Sequence, residues 1–200
     1  DEGTSTLSRE HAVAVVAPGL ISIAGGKYTT YRVMGADAVD ACNDFIPTRV
    51  APSITERVPL LGADGYFALI NQCDFLGKRF GLHPYRVRRL LNRYGSLIDD
   101  VLRLADDDPT LLEPLAAAPQ YLRVEIVYAV RNEAALHLED LLARRTRISI
   151  EYSHRGVGCA TEVADLIAPI LGWTQKKKAF EVANYVARVE AEIASQQQPD

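Results

Sequence analysis

Cysteine is sparse in this chain. Cys42, Cys73 and Cys159 stand far apart among 200 residues, with no Cys-x-x-Cys pair and no histidine at ligand spacing. Nothing supports a disulfide framework or a zinc site, and the thiols read as small buried hydrophobes in a reducing compartment. Histidine is equally thin: His11, His83, His137 and His154 are scattered, so no metal site is expected. No apolar run approaches the roughly 18 residues that cross a bilayer; charge or glycine interrupts the longest candidates. Asp1 to Glu10 is polar and of mixed sign, unlike a secretory leader. A basic excess is missing too, since the net charge is -4. That argues against a dedicated nucleic-acid binder, which carries a basic face. Neither the dinucleotide fingerprint Gly-x-Gly-x-x-Gly nor a phosphate loop occurs, and no repeat of roughly 20 to 50 residues stands out.

What is present is globular: 48% of residues are hydrophobic and 24% charged. The length suits one ordinary domain, or a small domain with a piece of a second. The chain changes character near residue 50. Before it, His11 to Val16 and Leu20 to Ala24 are short β-branched runs split by Ala17-Pro18-Gly19, which reads as strand, turn and strand. Gly25-Gly26 closes the second run, and Thr29 and Thr30 are N-cap candidates for a helix through about Phe45. Pro47, Pro52 and Pro59 follow, a stiff linker in which no helix persists.

Everything after Asp64 reads as helix. Tyr66 to Phe80 closes at Gly81, and Pro84 to Tyr94 opens on proline and closes at Gly95. Ser96 caps Leu97 to Ala105, and Pro109 starts a short piece to about Ala117. Leu122, Ile126, Val130 and Ala134 form an i, i+4 stripe, and Leu138, Leu141 and Leu142 continue the pattern in the next helix. Glu162 to Leu171 ends at Gly172. Thr174 caps a last helix whose apolar face is Val182, Tyr185, Val186, Val189 and Ile193, and the tail from Ser195 is expected to fray. The fold class is therefore mainly α, a compact multi-helix bundle preceded by a β-hairpin and one helix.

The chemistry concentrates in Gly25-Gly26-Lys27-Tyr28-Thr29-Thr30-Tyr31-Arg32. Two glycines let a ligand approach the backbone without a Cβ in the way. The N–H groups and dipole of the following helix favour negative charge there, and Lys27 adds a full cation. Arg9 lies nine residues before Pro18 and Lys27 nine after it. If the strands pair about that turn, the two cations meet at the open end of the hairpin, where they suit a phosphate ester. The plainer alternative is a Gly-Gly turn with solvated surface charges.

These residues resemble the signature of FAD-dependent glycerol-3-phosphate dehydrogenases, Gly-Gly-Lys-x-x-Ser/Thr-Tyr-Arg-x-x-Ala. The match holds through Arg32 and departs at Gly35, where alanine is usual. Ser8-Arg9-Glu10-His11 is similar to the family segment whose arginine contacts substrate. Glu125 to Arg131 and Leu136 to Arg147 resemble its C-terminal cap domain. The resemblance implies that residues 1–46 are the C-terminal piece of an FAD- and substrate-binding domain, 47–61 a linker and 62–200 an α-helical cap. It implies substrate-phosphate binding by Arg9 and Lys27, and flavin contacts from Gly25, Gly26, Lys27, Thr29 and Thr30. The family oxidises sn-glycerol 3-phosphate to dihydroxyacetone phosphate and passes electrons from FAD to a membrane quinone; a glycerol-3-phosphate oxidase using oxygen is the near alternative. A non-catalytic helical interaction module is the distant one. The portion carrying the dinucleotide fingerprint is absent here, so the chain alone is expected to be inactive and to bind no FAD. In the same frame the full-length enzyme is cytoplasmic, peripheral on the inner face of the membrane, with a homodimer left open.

Other charged runs have structural readings. Arg144-Arg145-Thr146-Arg147 closes a helix C-terminus, with Asp140 at i-4 from Arg144. Lys176-Lys177-Lys178 reads as a solvated face, an anionic membrane contact being the alternative. Glu139-Asp140 and Asp106-Asp107-Asp108 read as a polar helix face and an acidic loop, not catalytic carboxylates.

Overall fold

The structure is a computed structural model describing residues 10–48 and 50–196. It divides into two compact units, Asp1–Leu60 and Leu61–Asp200.

In the first unit, strands β1 (His11–Ala17) and β2 (Leu20–Gly25) form an antiparallel hairpin. The register runs from His11 opposite Gly25 to Val15 opposite Ile21, then slips at a bulge so that Ala17 faces Leu20. Gly19 at φ 77° makes the turn. Helix α1 (Tyr31–Asp40) packs on both strands, fastened by His11 Nε2 to Asp37 Oδ2 at 2.7 Å. The expected helix through Phe45 stops earlier. Its α-helical part ends at Asp40, and a separate 3₁₀ turn covers Asn43–Phe45. In the proline-rich stretch the guanidinium of Arg32 donates to the carbonyls of Thr55 and Val58. No described residue of this unit is buried. A hairpin and a helix of this size cannot enclose a core of their own.

The second unit is helical and well buried. Helices α2 (Tyr66–Ile70), α3 (Cys73–Phe80), α4 (Pro84–Tyr94) and α5 (Ile98–Arg103) build the first of two cores, around Leu76, Val87, Leu90, Leu91, Ile98, Val101 and Leu102. Gly81 (φ 66°) ends α3 and Gly95 (φ 57°) ends α4, as their positions predict. Tyr66 to Phe80 is two helices rather than one, broken where Gln72 N–H turns back to Leu69 O. Gly62 and Gly95 cross backbone to backbone. A Cβ on Gly95 would sit 1.8 Å from Gly62 O, and Ser96 N–H donates to that oxygen at 2.9 Å.

Residues 109–122 depart from the all-helix expectation. After a 3₁₀ turn at Pro109–Leu112, strands β3 (Pro114–Leu115) and β4 (Ala118–Leu122) form a small antiparallel hairpin. The alanines at 116–118 read as helix formers, but Pro114 and Pro119 deny that stretch helical hydrogen bonds. Helix α6 (Arg123–Asn132) then has every residue from Val124 to Val130 buried. It is the central helix: Val124, Val127 and Tyr128 enter the first core, and Ile126, Ala129 and Val130 enter the second. The predicted stripe ends early, because Leu122 belongs to β4 and Ala134 lies beyond the helix at φ 55°.

The second core joins α6 to Leu138, Leu141 and Leu142, to α7 (Ile148–Glu151), and to α8 (Ala160–Leu171) and α9 (Gln175–Gln196). Asp140–Arg145 winds as a π-helical turn. Gly172 ends α8 in the left-handed region, and Thr174 Oγ1 accepts Lys177 N–H at 3.2 Å at the start of α9. The described helices include none long and apolar enough to cross a membrane.

Candidate functional site

Gly25 and Gly26 sit at φ 82° and 77°, a region side-chain-bearing residues avoid. Their missing Cβ atoms are also required by the protein's own packing. A Cβ on Gly25 would lie 2.8 Å from Glu10 O, and one on Gly26 would lie 2.6 Å from Met34 Sδ. Gly26 N–H donates to Glu10 O at 3.2 Å, the last rung of the hairpin. Arg9 lies outside the described residues, so its pairing with Lys27 rests on the sequence count alone.

Beyond the glycines, Tyr28–Thr30 makes one 3₁₀ turn that runs into α1. Thr30 was expected as an N-cap, but its hydroxyl points the other way. Oγ1 donates to Lys27 O at 2.9 Å and accepts Lys27 N–H at 3.2 Å, locking the turn before the helix. The backbone N–H groups of Tyr28 and Thr29 find no acceptor among the described residues. Two backbone donors without an acceptor among the described residues thus follow Lys27 at a helix start, an arrangement that favours an anion.

A groove of about 400 Å³ opens here, lined by Gly25, Gly26, Lys27, Tyr28, Tyr31 and Met34 among others. Thr29 and Thr30 do not line it. Tyr28 is 92% exposed, and its ring lies 6.2 Å from that of Tyr31. The Tyr31 hydroxyl accepts Arg32 Nε at 3.2 Å. The structure therefore brings Gly25, Gly26 and Lys27 together on one open wall.

Sequence reasoning missed a second constellation. Glu125 in α6 is fully buried; its Oε2 accepts Leu122 N–H at 2.8 Å, and Arg89 reaches its two oxygens at 3.1 and 3.0 Å. Arg93 stands 3.8 Å away, and Tyr94 Oη lies 3.4 Å from Oε1. Burial pushes the Glu125 carboxyl up, while Arg89, the Leu122 N–H and Arg93 pull against it. Arg89 also stacks over Tyr121 at 4.0 Å, and the Tyr121 hydroxyl ties Glu151 and Arg147 N–H. A serine or threonine at position 122 would have announced this helix start as a capping box; leucine there hides it.

The remaining charged runs are engaged. Arg144 pairs with Asp140 at 2.8 Å and Glu139 at 2.6 Å. Lys177 reaches Glu181 at 2.6 Å and Lys178 reaches Asp165 at 2.5 Å. Asp108 caps the turn at Pro109 through Thr110 N–H. No cluster of three or more metal-ligating side chains occurs among the described residues.

Comparison with known proteins completes the picture. The chain is 69% identical, over its whole length, to "Glycerol-3-phosphate dehydrogenase 2" of Mycobacterium bovis, of which it covers 34%. It is 31% identical to "Probable glycerol-3-phosphate dehydrogenase, mitochondrial" of Dictyostelium discoideum, covering 28% of that protein with 92% of itself. Among solved structures, the glycerol-3-phosphate dehydrogenase of Bacillus halodurans complexed with FAD matches with a TM-score of 0.68 at 25% identity, over 85% of this chain and 35% of that one. The chain thus spans about a third of the length of these relatives. Residues 53–178 match the family described as the C-terminal domain of alpha-glycerophosphate oxidase, and the chain belongs to that family.

Proposed function

We propose that this chain is the C-terminal part of a flavin-dependent glycerol-3-phosphate dehydrogenase that converts sn-glycerol 3-phosphate to dihydroxyacetone phosphate. Residues 1–46 are its piece of the FAD- and substrate-binding domain, 47–61 the linker and 62–200 the helical cap. The observation that carries the reading is the groove of about 400 Å³ at Gly25–Lys27, which Lys27 lines together with Tyr28, whose backbone N–H has no acceptor among the described residues. The names of the relatives supply the reaction.

The residues present fit one edge of a flavin site. Tyr28 and Thr29 N–H can hold the electron-rich edge of the ring system, and the Gly25–Gly26 backbone presents no side chain toward it. When bound, FAD supplies the acceptor for the hydride from C2 of the substrate. This chain contributes charge and position: Lys27, with Arg9 beside it in the sequence reading, holds the substrate phosphate. A donor pair at a helix start stabilises negative charge that grows during reduction. The dinucleotide fingerprint that would cradle the FAD pyrophosphate does not occur among these 200 residues. Quinone is preferred to oxygen as acceptor because relatives that are 69% and 67% identical to this chain are named dehydrogenases.

Lys27→Met in the full-length enzyme tests the reading. Loss of one charge-assisted hydrogen bond lowers kcat/KM for glycerol 3-phosphate by roughly 10- to 150-fold. The penalty largely disappears for glycerol, which lacks the phosphate. Arg9→Met follows the same pattern. Wild-type kcat/KM in both variants would reduce the two cations to surface charge. A stoichiometric hydrogen peroxide yield would transfer the enzyme to the oxidases.

A further inference from the structure

The groove at Lys27 has walls from two different elements. Ile23, Gly25 and Gly26 belong to the end of the hairpin, and Met34, Gly35 and Ala38 to α1. Lys27 stands in the connection between them. Its N–H and its carbonyl are both tied to Thr30 Oγ1, at the head of α1. The place of Lys27 therefore depends on how the helix is set against the hairpin.

Behind the groove the two walls are joined. A Cβ on Gly26 would lie 2.6 Å from Met34 Sδ and 3.3 Å from His11 Cβ, so both residues back the glycine pair. His11 is opposite Gly25 in the hairpin register. Its ring crosses to α1, where Nε2 lies 2.7 Å from Asp37 Oδ2. Asp37 comes three residues after Met34 and directly before Ala38, which both line the groove; His11 and Asp37 themselves do not. A carboxylate only accepts, so Nε2 carries the proton. Met34 fills the same gap, but a flexible thioether does not fix a spacing. The imidazole–carboxylate bond is short and directional, and it does.

We propose that His11 and Asp37 are positioning residues for the reaction: their hydrogen bond sets α1 against the hairpin and so places Lys27 for the substrate phosphate. The inference rests on the function proposed above. The exposure of the pair separates this role from simple stabilisation. The His11 side chain is 16% exposed, but that of Asp37 is 48% exposed, and a pair so open to water adds little to stability. Were it only a surface tie, its loss would be nearly silent.

The test compares Lys27→Met, His11→Ala, Asp37→Ala and Asp37→Asn in the full-length enzyme. His11→Ala and Asp37→Ala each lower kcat/KM for glycerol 3-phosphate roughly 10-fold, mostly through KM, because the lysine is displaced rather than deleted. Glycerol, which lacks the phosphate, shows little of this penalty. Asp37→Asn keeps an oxygen to accept from Nε2–H and retains most of the wild-type value. Adding Asp37→Ala to Lys27→Met costs nothing further, since both act through one lysine. In the wild-type 200-residue chain, the ¹⁵N resonances of His11 show a proton on Nε2, a readout that needs no variant to fold. A Lys27→Met enzyme with wild-type kcat/KM would sink the reading of the groove and this inference with it. An impaired Lys27→Met enzyme beside wild-type values for Asp37→Ala would sink this inference alone. So would penalties equal for glycerol and glycerol 3-phosphate, additive losses in the double variant, or a bare Nε2.

Discussion

Replacing Glu125 by glutamine keeps the volume of a fully buried side chain and removes its charge. Glutamine still offers one acceptor to Leu122 N–H, so the loss falls on the arginines. Removing one partner of a buried ion pair typically costs about 3–5 kcal/mol, because the other charge is left stranded. Here the side chains of Arg89 and Arg93 keep 20% and 24% exposure, so water replaces part of what they lose. The expectation is therefore about 2–4 kcal/mol. For a chain of this size that lowers Tm by roughly 4–16 °C, at about 2–4 °C per kcal/mol. Urea unfolding followed by circular dichroism measures the change at constant m-value. Arg89→Met combined with Glu125→Leu should recover much of the loss, since removing both charges removes the stranded one. A cycle over these variants should show a coupling of at least about 1 kcal/mol. Glu125→Gln within about 0.5 kcal/mol of wild type, or strictly additive variants, would refute the idea that this network holds α4 to α6.

Gly95→Ala should unfold at a urea midpoint lower by at least about 2 kcal/mol equivalent, because its Cβ meets Gly62 O at 1.8 Å on a left-handed backbone; an unchanged midpoint would contradict the crossing. Burial works against the Glu181 charge, but hydrogen bonds from Lys177 and His137 outweigh it and hold the carboxyl below its ordinary value near 4.5. A depressed folded pKa gives stability that is present above pH 4.5 and lost as pH falls through the folded value. Glu181→Gln should accordingly flatten the acid limb of stability measured from pH 5 to pH 2, and an unchanged slope would deny it. Deleting residues 1–60 should leave a soluble helical protein with a cooperative melt, since every buried residue among those described lies beyond residue 60; a broad, non-cooperative melt would mean the helices borrow core from the first unit.

Where one local signal dominated, the chain was legible. Gly81, Gly95 and Gly172 stop helices through left-handed geometry, which little but glycine supplies, and Pro84 starts one for the converse reason. The hairpin and its Pro18-Gly19 turn were legible, but the bulge that shifts the register between Val15 and Ala17 was not. Legibility failed where packing overrode propensity. The alanines at 116–118 favour helix, yet the chain pairs there as a hairpin closed by Arg123 N–H to Glu113 O at 3.0 Å. The π-helical turn had no signature, because its extra residue is fixed by Thr146, whose N–H and hydroxyl both return to Leu141 O. At the candidate site, the glycines and Lys27 could be read from the sequence. The reversal of Thr30 could not, because a threonine hydroxyl chooses between neighbouring backbone groups on geometry alone.

The hairpin of the first unit has a practical consequence for the isolated chain. A described sheet of only two strands has a free ladder edge on each, and Val15, Val16 and Leu20 stand 55%, 62% and 56% exposed beside them. Such edges are templates for pairing with another copy, and no proline or charge within β1 or β2 blunts them. Concentrated preparations should therefore aggregate through residues 11–25 rather than through the helices. A lysine in place of Val16, the exposed residue that the bulge leaves unpaired, is the simplest change that would keep the chain in solution.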